Sequence, residues 1–243
     1  MTRVYRYRDL SIIDFGEMEI LIACDSLGSI GEKKLDLVKT KNEIAGYYEA
    51  RVVLMELISQ GGEIKSLVNA VCNEWNPTGA GIKKGIERAL KEINLDPNLV
   101  LNGSTEENFE TSMTALGIMG VATRKKKSYY SKSGEIVLAL GKRLLGEDVV
   151  KDGGSRILSL NDLIHLRKMD YISELLPVGS KGINYEISKL EENSGLKAEI
   201  YDSKIDKNLS CGPSTVVLAS LKEEDIKKLD FLDIDKEIVA KFI

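Results

Sequence analysis

Four stretches concentrate side chains that can do chemistry. The first is Cys24-Asp25-Ser26-Leu27-Gly28-Ser29-Ile30-Gly31-Glu32-Lys33-Lys34, an acid at the mouth of an apolar run followed by glycines and lysines. A cradle for nucleotide phosphate needs those residue types. Gly28, Ser29 and Gly31 let backbone amides approach the oxygens, Lys33 neutralises charge, and Asp25 can hold Mg²⁺. The spacing is neither that of a Walker A loop nor that of a Rossmann GxGxxG turn, and a plain strand-to-loop turn accounts for the same residues. The second is Glu56 inside Val52-Val53-Leu54-Met55-Glu56-Leu57-Ile58. A helix that is apolar on most sides buries this carboxylate, which then needs a cation or a partner such as Arg51. The third is Gly103-Ser104-Thr105-Glu106-Glu107-Asn108-Phe109-Glu110, rich in the oxygen ligands that hard divalent cations prefer; a solvated acidic loop is the plainer alternative. The fourth is Pro177-Val178-Gly179-Ser180-Lys181-Gly182-Ile183, where amides at a helix start and a lysine would bind an anion; a simple glycine-containing helix entry accounts for it equally well. Asp25, Glu56 and an acid of Glu106/Glu107 converging on Mg²⁺ would suit metal-assisted phosphoryl transfer, which relies on positioning and charge rather than a covalent nucleophile. No general base stands out; Asp14 and Glu107 are the available carboxylates.

These residues need elements to hold them. Leu10–Phe15 and Met18–Cys24 flank Gly16 and predict a β-hairpin whose second strand ends at Asp25. A helix is expected over residues 42–60, closed by Gly61-Gly62, and a strand over 66–72. Asn76-Pro77-Thr78-Gly79 breaks the chain. Ile82, Ile86, Ala89, Leu90 and Ile93 then recur at helical spacing, with Lys83, Lys84, Glu87 and Lys91 on the opposite face. Strands are expected at 99–101 and 113–121, and Thr123–Ser133 is the best linker. Beyond it the pattern gives a strand at 135–140, a helix at 161–169, a helix at 183–192 stopped by Gly195, strands at 198–201 and 215–219, and an apolar end at 238–243. The organisation is two α/β halves with mixed βα order, residues 1–126 and 127–243.

Composition narrows the functions further. The chain has 243 residues, 43% apolar and 30% charged, with a net charge of −4. That excess of acid argues against a general nucleic-acid binder; Arg124-Lys125-Lys126-Lys127 reads as cations on a solvated loop. No apolar run is long enough to span a bilayer, and Met1–Asp9, with three arginines, is unlike a signal peptide. Cys24, Cys72 and Cys211 are widely separated, as expected of reduced, mostly buried thiols in a cytoplasmic protein. The single histidine, His165, sits among Leu163, Ile164 and Leu166 as a helix-face residue, which leaves little room for a histidine-based zinc site or Ser/Cys–His chemistry.

The order of these motifs resembles the aminoimidazole ribonucleotide synthetase-like (PurM-like) ATP-binding superfamily, over most of the chain and most strongly from Ile20 to Val121. Asp25-Ser26-Leu27-Gly28-Ser29 is similar to its DGVGT loop. Ala50–Ile64, with Glu56 at the acidic position, resembles its helix motif NDLVVQGAEP. Gly103–Phe109 is similar to GGETAEMP, Arg8-Asp9-Leu10-Ser11-Ile12 to its N-terminal GDDAA element, and Gly179–Ile183 to the glycine loop of a C-terminal helix. This chain departs from the pattern at Ser104, where the family has an acid, at Glu56, where it has aspartate, and at the GDD pair, reduced to Asp9.

The resemblance implies an α/β fold with mixed sheets: an N-terminal domain whose sheet pairs across a homodimer into a barrel, then a C-terminal α/β sandwich. It implies ATP and Mg²⁺ as cofactors, with Asp9, Asp25, Glu56 and Glu106 at the metal. Gly28, Ser29, Gly31, Lys33, Thr105, Asn108, Gly179 and Gly182 fall at the nucleotide, and Asp25, Glu107 and Lys181 at the reaction. Among the branches, a hydrogenase-maturation protein ends in a reactive cysteine, unlike Lys241-Phe242-Ile243, and a selenophosphate synthetase uses a cysteine in a glycine-rich loop. The pattern looks most like the alpha-ribazole kinase group, near thiamin-monophosphate kinase, which implies phosphorylation of a nucleoside 5′-hydroxyl. An ATP-driven ligase or cyclase and a dimeric nucleotide-binding accessory protein are the alternatives. Trp75, Tyr47, Tyr48 and Phe109 are available to wall an aromatic substrate.

Overall fold

The structure, a computed structural model, describes residues 2–243, which form two compact units that part between Lys126 and Lys127. The first begins with a meander, β1 (Arg3–Tyr7), β2 (Leu10–Asp14) and β3 (Met18–Gly28). In β2 and β3 alternate residues are buried, Leu10 and Ile12 against Leu21 and Ala23, the period of a sheet with one packed face. The short β4 (Ile30–Gly31) and β5 (Val38–Lys39) pair in parallel. Then come α1 (Asn42–Ser59), β6 (Glu63–Val71), α2 (Ala80–Glu92), the single turn α3 (Pro97–Val100), β7 (Leu101–Thr105) and β8 (Ala115–Lys125).

The six-stranded sheet runs β1-β2-β3-β8-β6-β7, antiparallel except for β6 with β7. Helix α1 packs on β3, β8 and β6 and is buried on nearly all sides, because α2 covers its other flank. The helices approach closely at two glycines. A Cβ at Gly46 would lie 2.2 Å from the Ile82 carbonyl oxygen, and one at Gly85 2.0 Å from that of Glu43.

The second unit is built on an antiparallel sheet, in the order β10-β12-β9-β13-β11. In chain order it contains β9 (Ile136–Leu140), α4 (Glu147–Asp152), α5 (Leu160–Arg167), β10 (Ile172–Pro177), α6 (Gly182–Ser194), β11 (Ala198–Ile200), β12 (Val217–Leu221) and β13 (Lys236–Phe242). All residues of β9 and β12 are buried, so these central strands are almost wholly apolar rather than alternating, Ser220 of β12 being hydrogen-bonded to the Ser131 hydroxyl. Helix α6 ends at Gly195, φ +74°, in the left-handed region that glycine enters without steric cost.

The sequence pattern is corrected in several places. β1 was not anticipated. β3 continues through Gly28, so Asp25 stands inside a strand and not at its mouth. The strand expected at 99–101 instead covers Leu101–Thr105, because Pro97 opens a helical turn before it. Arg124 is no loop cation: within β8 its Nε donates to Glu19 at 2.7 Å, with both side chains buried. Cys24 and Cys72 are exposed; only Cys211 is buried, and that burial pushes its thiol up to about 12. His165 stands edge-on to Phe231, 5.5 Å between centroids, without a catalytic neighbour. Among the described residues no helix is long and apolar enough to cross a membrane.

Candidate functional site

A cleft of about 470 Å³ opens on the helix-facing side of the first sheet, lined by Arg6, Arg8, Asp9, Asp25, Val53 and Glu56 among others. Three elements deliver these groups. The two-residue turn of the β1–β2 hairpin is Arg8-Asp9. Asp25 lies on β3 in phase with Leu21 and Ala23, the face toward α1. Glu56 projects from α1. Three acids far apart in sequence thus meet in one cleft, with two arginines.

The charges are unevenly compensated. Arg8, with a side chain only 3% exposed, donates to the Glu56 carboxylate and stands 3.5 Å from Asp9. Glu56 is therefore an ion-pair partner of Arg8. Arg51 is completely buried, with Tyr47, Tyr48 and Glu92 as its electrostatic neighbours. Burial holds the Asp25 carboxyl above its ordinary range, and the charge of Asp9 adds to the rise against a hydrogen bond from the Ser26 amide. Glu49, one of the residues that the motifs did not mark, is 4% exposed, and its Oε1 has no hydrogen-bond partner. Burial first and the charge of Asp25 second push its pKa up to about 8. Its signal in the sequence was the seven-residue step to Glu56, two helical turns on one face. Arg6 and Arg8 were also missed as site residues.

The loop after β3 is built differently from a phosphate cradle. The Ser29 amide donates to the Thr114 carbonyl, the Glu32 amide to Asn42 Oδ1, and the Lys33 amide to Asp36 Oδ2 at 2.8 Å. Lys33 Nζ pairs with Glu74 at 2.5 Å. Although burial acts to raise it, the hydrogen bonds from Lys33 and Thr78 hold the Glu74 carboxyl below its usual range. Gly31 is enclosed: a Cβ there would meet Thr114 Oγ1 at 2.4 Å. Gly28 is the exception, at the open end of β3 with nothing within 4 Å of a Cβ.

Nor do the other expected groups join the cleft. Glu106 accepts from the Asn108 amide at 2.6 Å, and Glu107 from the Trp75 amide at 2.7 Å and the Thr105 hydroxyl at 2.8 Å. Both acids thus organise the loop after β7, outside the residues that line the cleft. In the second unit, Gly182, φ +79°, packs under the carbonyls of Lys207 and Leu209, and the Asn184 amide donates to the Lys207 carbonyl. The start of α6 is therefore covered by its own chain. Lys181 lies over the Tyr185 ring, 4.3 Å from its centroid. Asp14 is held below its ordinary range by a hydrogen bond from Lys126 and then by the Gly16 amide, which makes it a weak base. Tyr47, bonded to Glu92 and stacked with Arg88, and Tyr48 are packing residues, whereas Trp75 and Phe109 are exposed.

Among the described residues no three His, Cys, Asp or Glu side chains stand close enough to enclose a metal ion by themselves. Mg²⁺, however, takes one or two carboxylates and completes its shell with water and phosphate oxygens. Asp25, half-buried beside the charge of Asp9, and Glu49, whose buried Oε1 meets no donor, fit that donor set.

No family model and no curated protein sequence matches the chain. Solved structures do. AaThiL complexed with AMPPCP and TMP is 13% identical, over 96% of this chain and 84% of that one, with a TM-score of 0.65. The thiamine-monophosphate kinase from Stenotrophomonas maltophilia is 11% identical, over 99% and 88%, with a TM-score of 0.65. A protein of the HypE–HypF complex is 16% identical, over 96% and 86%, with a TM-score of 0.67. The chain thus has the mixed α/β fold of the PurM-like proteins, as its motif order implied.

Proposed function

We propose that this fold serves an ATP- and Mg²⁺-dependent small-molecule kinase, acting on the 5′-hydroxyl of a nucleoside-like acceptor such as alpha-ribazole. The observation that carries the reading is the convergence of Asp9 and Asp25 with Arg6 and Arg8 in one cleft, on a fold that another protein uses in complex with AMPPCP. Asp25 and Asp9 would hold Mg²⁺, which supplies neutralisation of the charge on the transferred phosphoryl group. Arg6 and Arg8 bring guanidinium donors matched to phosphate oxygens, the role expected of Lys33 before its pairing with Glu74 was seen. Glu56 keeps Arg8 in place. Gly28 leaves the end of β3 open to a ligand. A strong general base is not required, since phosphoryl transfer rests on positioning and electrostatics. The enzyme would act as a homodimer.

One observation favours a second reading. The pairing of Glu56 with Arg8, and the engagement of Glu106 by the Asn108 amide and of Glu107 by the Trp75 amide, leave fewer acids for metal than the motifs suggested. A dimeric accessory protein that binds nucleotide without turnover would tolerate that loss.

ADP formation separates the two. The protein is incubated with ATP and Mg²⁺, with alpha-ribazole, with thiamin monophosphate, or without acceptor. Turnover on a single acceptor identifies the kinase and its substrate, and Asp25→Asn should then abolish turnover while leaving the unfolding transition in place. ATP binding without ADP on either acceptor transfers the protein to the accessory role. Wild-type activity in Asp25→Asn would remove Asp25 from the metal.

A further inference from the structure

We infer that Glu49 is the second carboxylate of the cation site, joining Asp25 where the motif order had pointed to Glu106. This inference rests on the nucleotide–cation reading above and names the residues that complete it. It begins from an orphaned group. Glu49 is buried in the middle of α1, 4% exposed, and among the described residues its Oε1 meets no donor. A carboxylate in that position is costly unless something positive compensates it.

The cations that might do so are engaged elsewhere. The Arg8 guanidinium contacts Glu56 and Asp9. Arg51, two residues along the helix, faces Tyr47, Tyr48 and Glu92. Glu49 stands two helical turns before Glu56 on α1, which packs on β3, and Asp25 is half-buried on the β3 face toward that helix; the charge of Asp25 adds to the burial that raises the Glu49 carboxyl. Two acids, one on a strand and one on the helix packed over it, are thus set against each other, and Glu49 Oε1 meets no donor. A divalent cation with oxygen ligands removes the repulsion and makes use of the free Oε1.

The alternative ligands lack that opportunity. Glu106 accepts the Asn108 N–H and Glu107 the Trp75 N–H, and neither side chain is buried, so neither has a charge stranded in the interior. Glu56 is neutralised by Arg8. The acid that the resemblance expects at Ser104 therefore has its replacement on α1.

Mn²⁺ provides the probe, because its free aqua ion gives an EPR signal that disappears on binding. Wild type, Glu49→Gln and Glu106→Gln are titrated with Mn²⁺, with and without a non-hydrolysable ATP analogue, and their cation-free Tm is measured. The expected result is at least a tenfold loss of Mn²⁺ affinity in Glu49→Gln and none in Glu106→Gln. The cation-free Tm of Glu49→Gln should not fall, since the substitution breaks no hydrogen bond to the orphaned Oε1; a merely structural glutamate would give a fall. Equal Mn²⁺ uptake by wild type and Glu49→Gln overturns the inference and leaves the nucleotide–cation reading intact. No uptake by wild type, even with the analogue, overturns both. Should Glu49→Gln fail to fold, Glu49→Asp, which keeps the charge one methylene short, must bind Mn²⁺ more weakly than wild type; unchanged affinity there overturns the inference.

Discussion

Arg8 shows how a single side chain ties turn, helix and cleft together. It occupies the first position of a two-residue hairpin turn at φ +52°, where glycine is the favoured residue. Such a conformation costs about 1–3 kcal/mol and persists only where the surroundings enforce it. Here the guanidinium is buried against Glu56, whose side chain is itself only 9% exposed. Removing the cation strands an acid in the interior. Arg8→Ala should therefore lower stability by about 3–5 kcal/mol, as loss of one partner from a buried ion pair does. The double variant Arg8→Ala/Glu56→Gln should recover most of that loss, because it removes the unmatched charge as well. Urea unfolding of the single and double variants measures both. If the single variant costs less than about 1 kcal/mol, a figure typical of exposed pairs, the pair is not the anchor of the turn.

At the scale of elements, the contact between α1 and α2 gives a prediction of unusual sign. Alanine in place of glycine within an exposed helix stabilises by about 1 kcal/mol. At Gly85 the added methyl would lie 2.0 Å from the Glu43 carbonyl oxygen and 2.5 Å from the Tyr47 amide nitrogen, all backbone of α1. Neither atom can turn aside as a side chain does, so the helices must separate. Gly85→Ala should destabilise by about 1–3 kcal/mol, the cost of overpacking a filled interior, read from urea midpoints at unchanged slope. A stabilised Gly85→Ala would show that the helices do not cross there. The same contact marks the limit of what the sequence discloses. Helix α2 was legible because Ile82, Ile86, Ala89 and Leu90 repeat on one face, and α1 because its apolar run ends at Gly61-Gly62. That Gly85 serves the crossing was not legible, since its neighbours are more than thirty residues away. The site divides in the same way. Asp9, Asp25 and Glu56 could be found as acids at special places in the pattern. The partners that engage Lys33, Glu107 and the start of α6 are supplied by Glu74, Trp75 and the segment around Lys207, and no local pattern announces them.

At the scale of the molecule, the first sheet has two faces and α1 accounts for one. On the other, Ile22 stands beside Val121, Cys24 beside Met119, and Met119 beside Val68. These side chains are half-buried or exposed, Met119 to 40%. A row of apolar residues across three adjacent strands is more than the scattered exposure that a soluble surface tolerates, and such patches mark association sites. A second copy of the same sheet matches it in length and character, and a two-fold contact needs only one self-complementary patch. The protein should accordingly sediment at micromolar concentration with twice its chain mass of 26.9 kDa. Met119→Lys places a charge at the centre of the row without touching the core beneath α1. It should give a folded monomer with an unchanged far-UV spectrum. The strand edges offer a competing contact, because β1 and β7 each leave one side of the sheet unpaired. Edge-to-edge association would survive Met119→Lys, whereas face-to-face association would not, so the sedimentation of that one variant decides which surface makes the dimer.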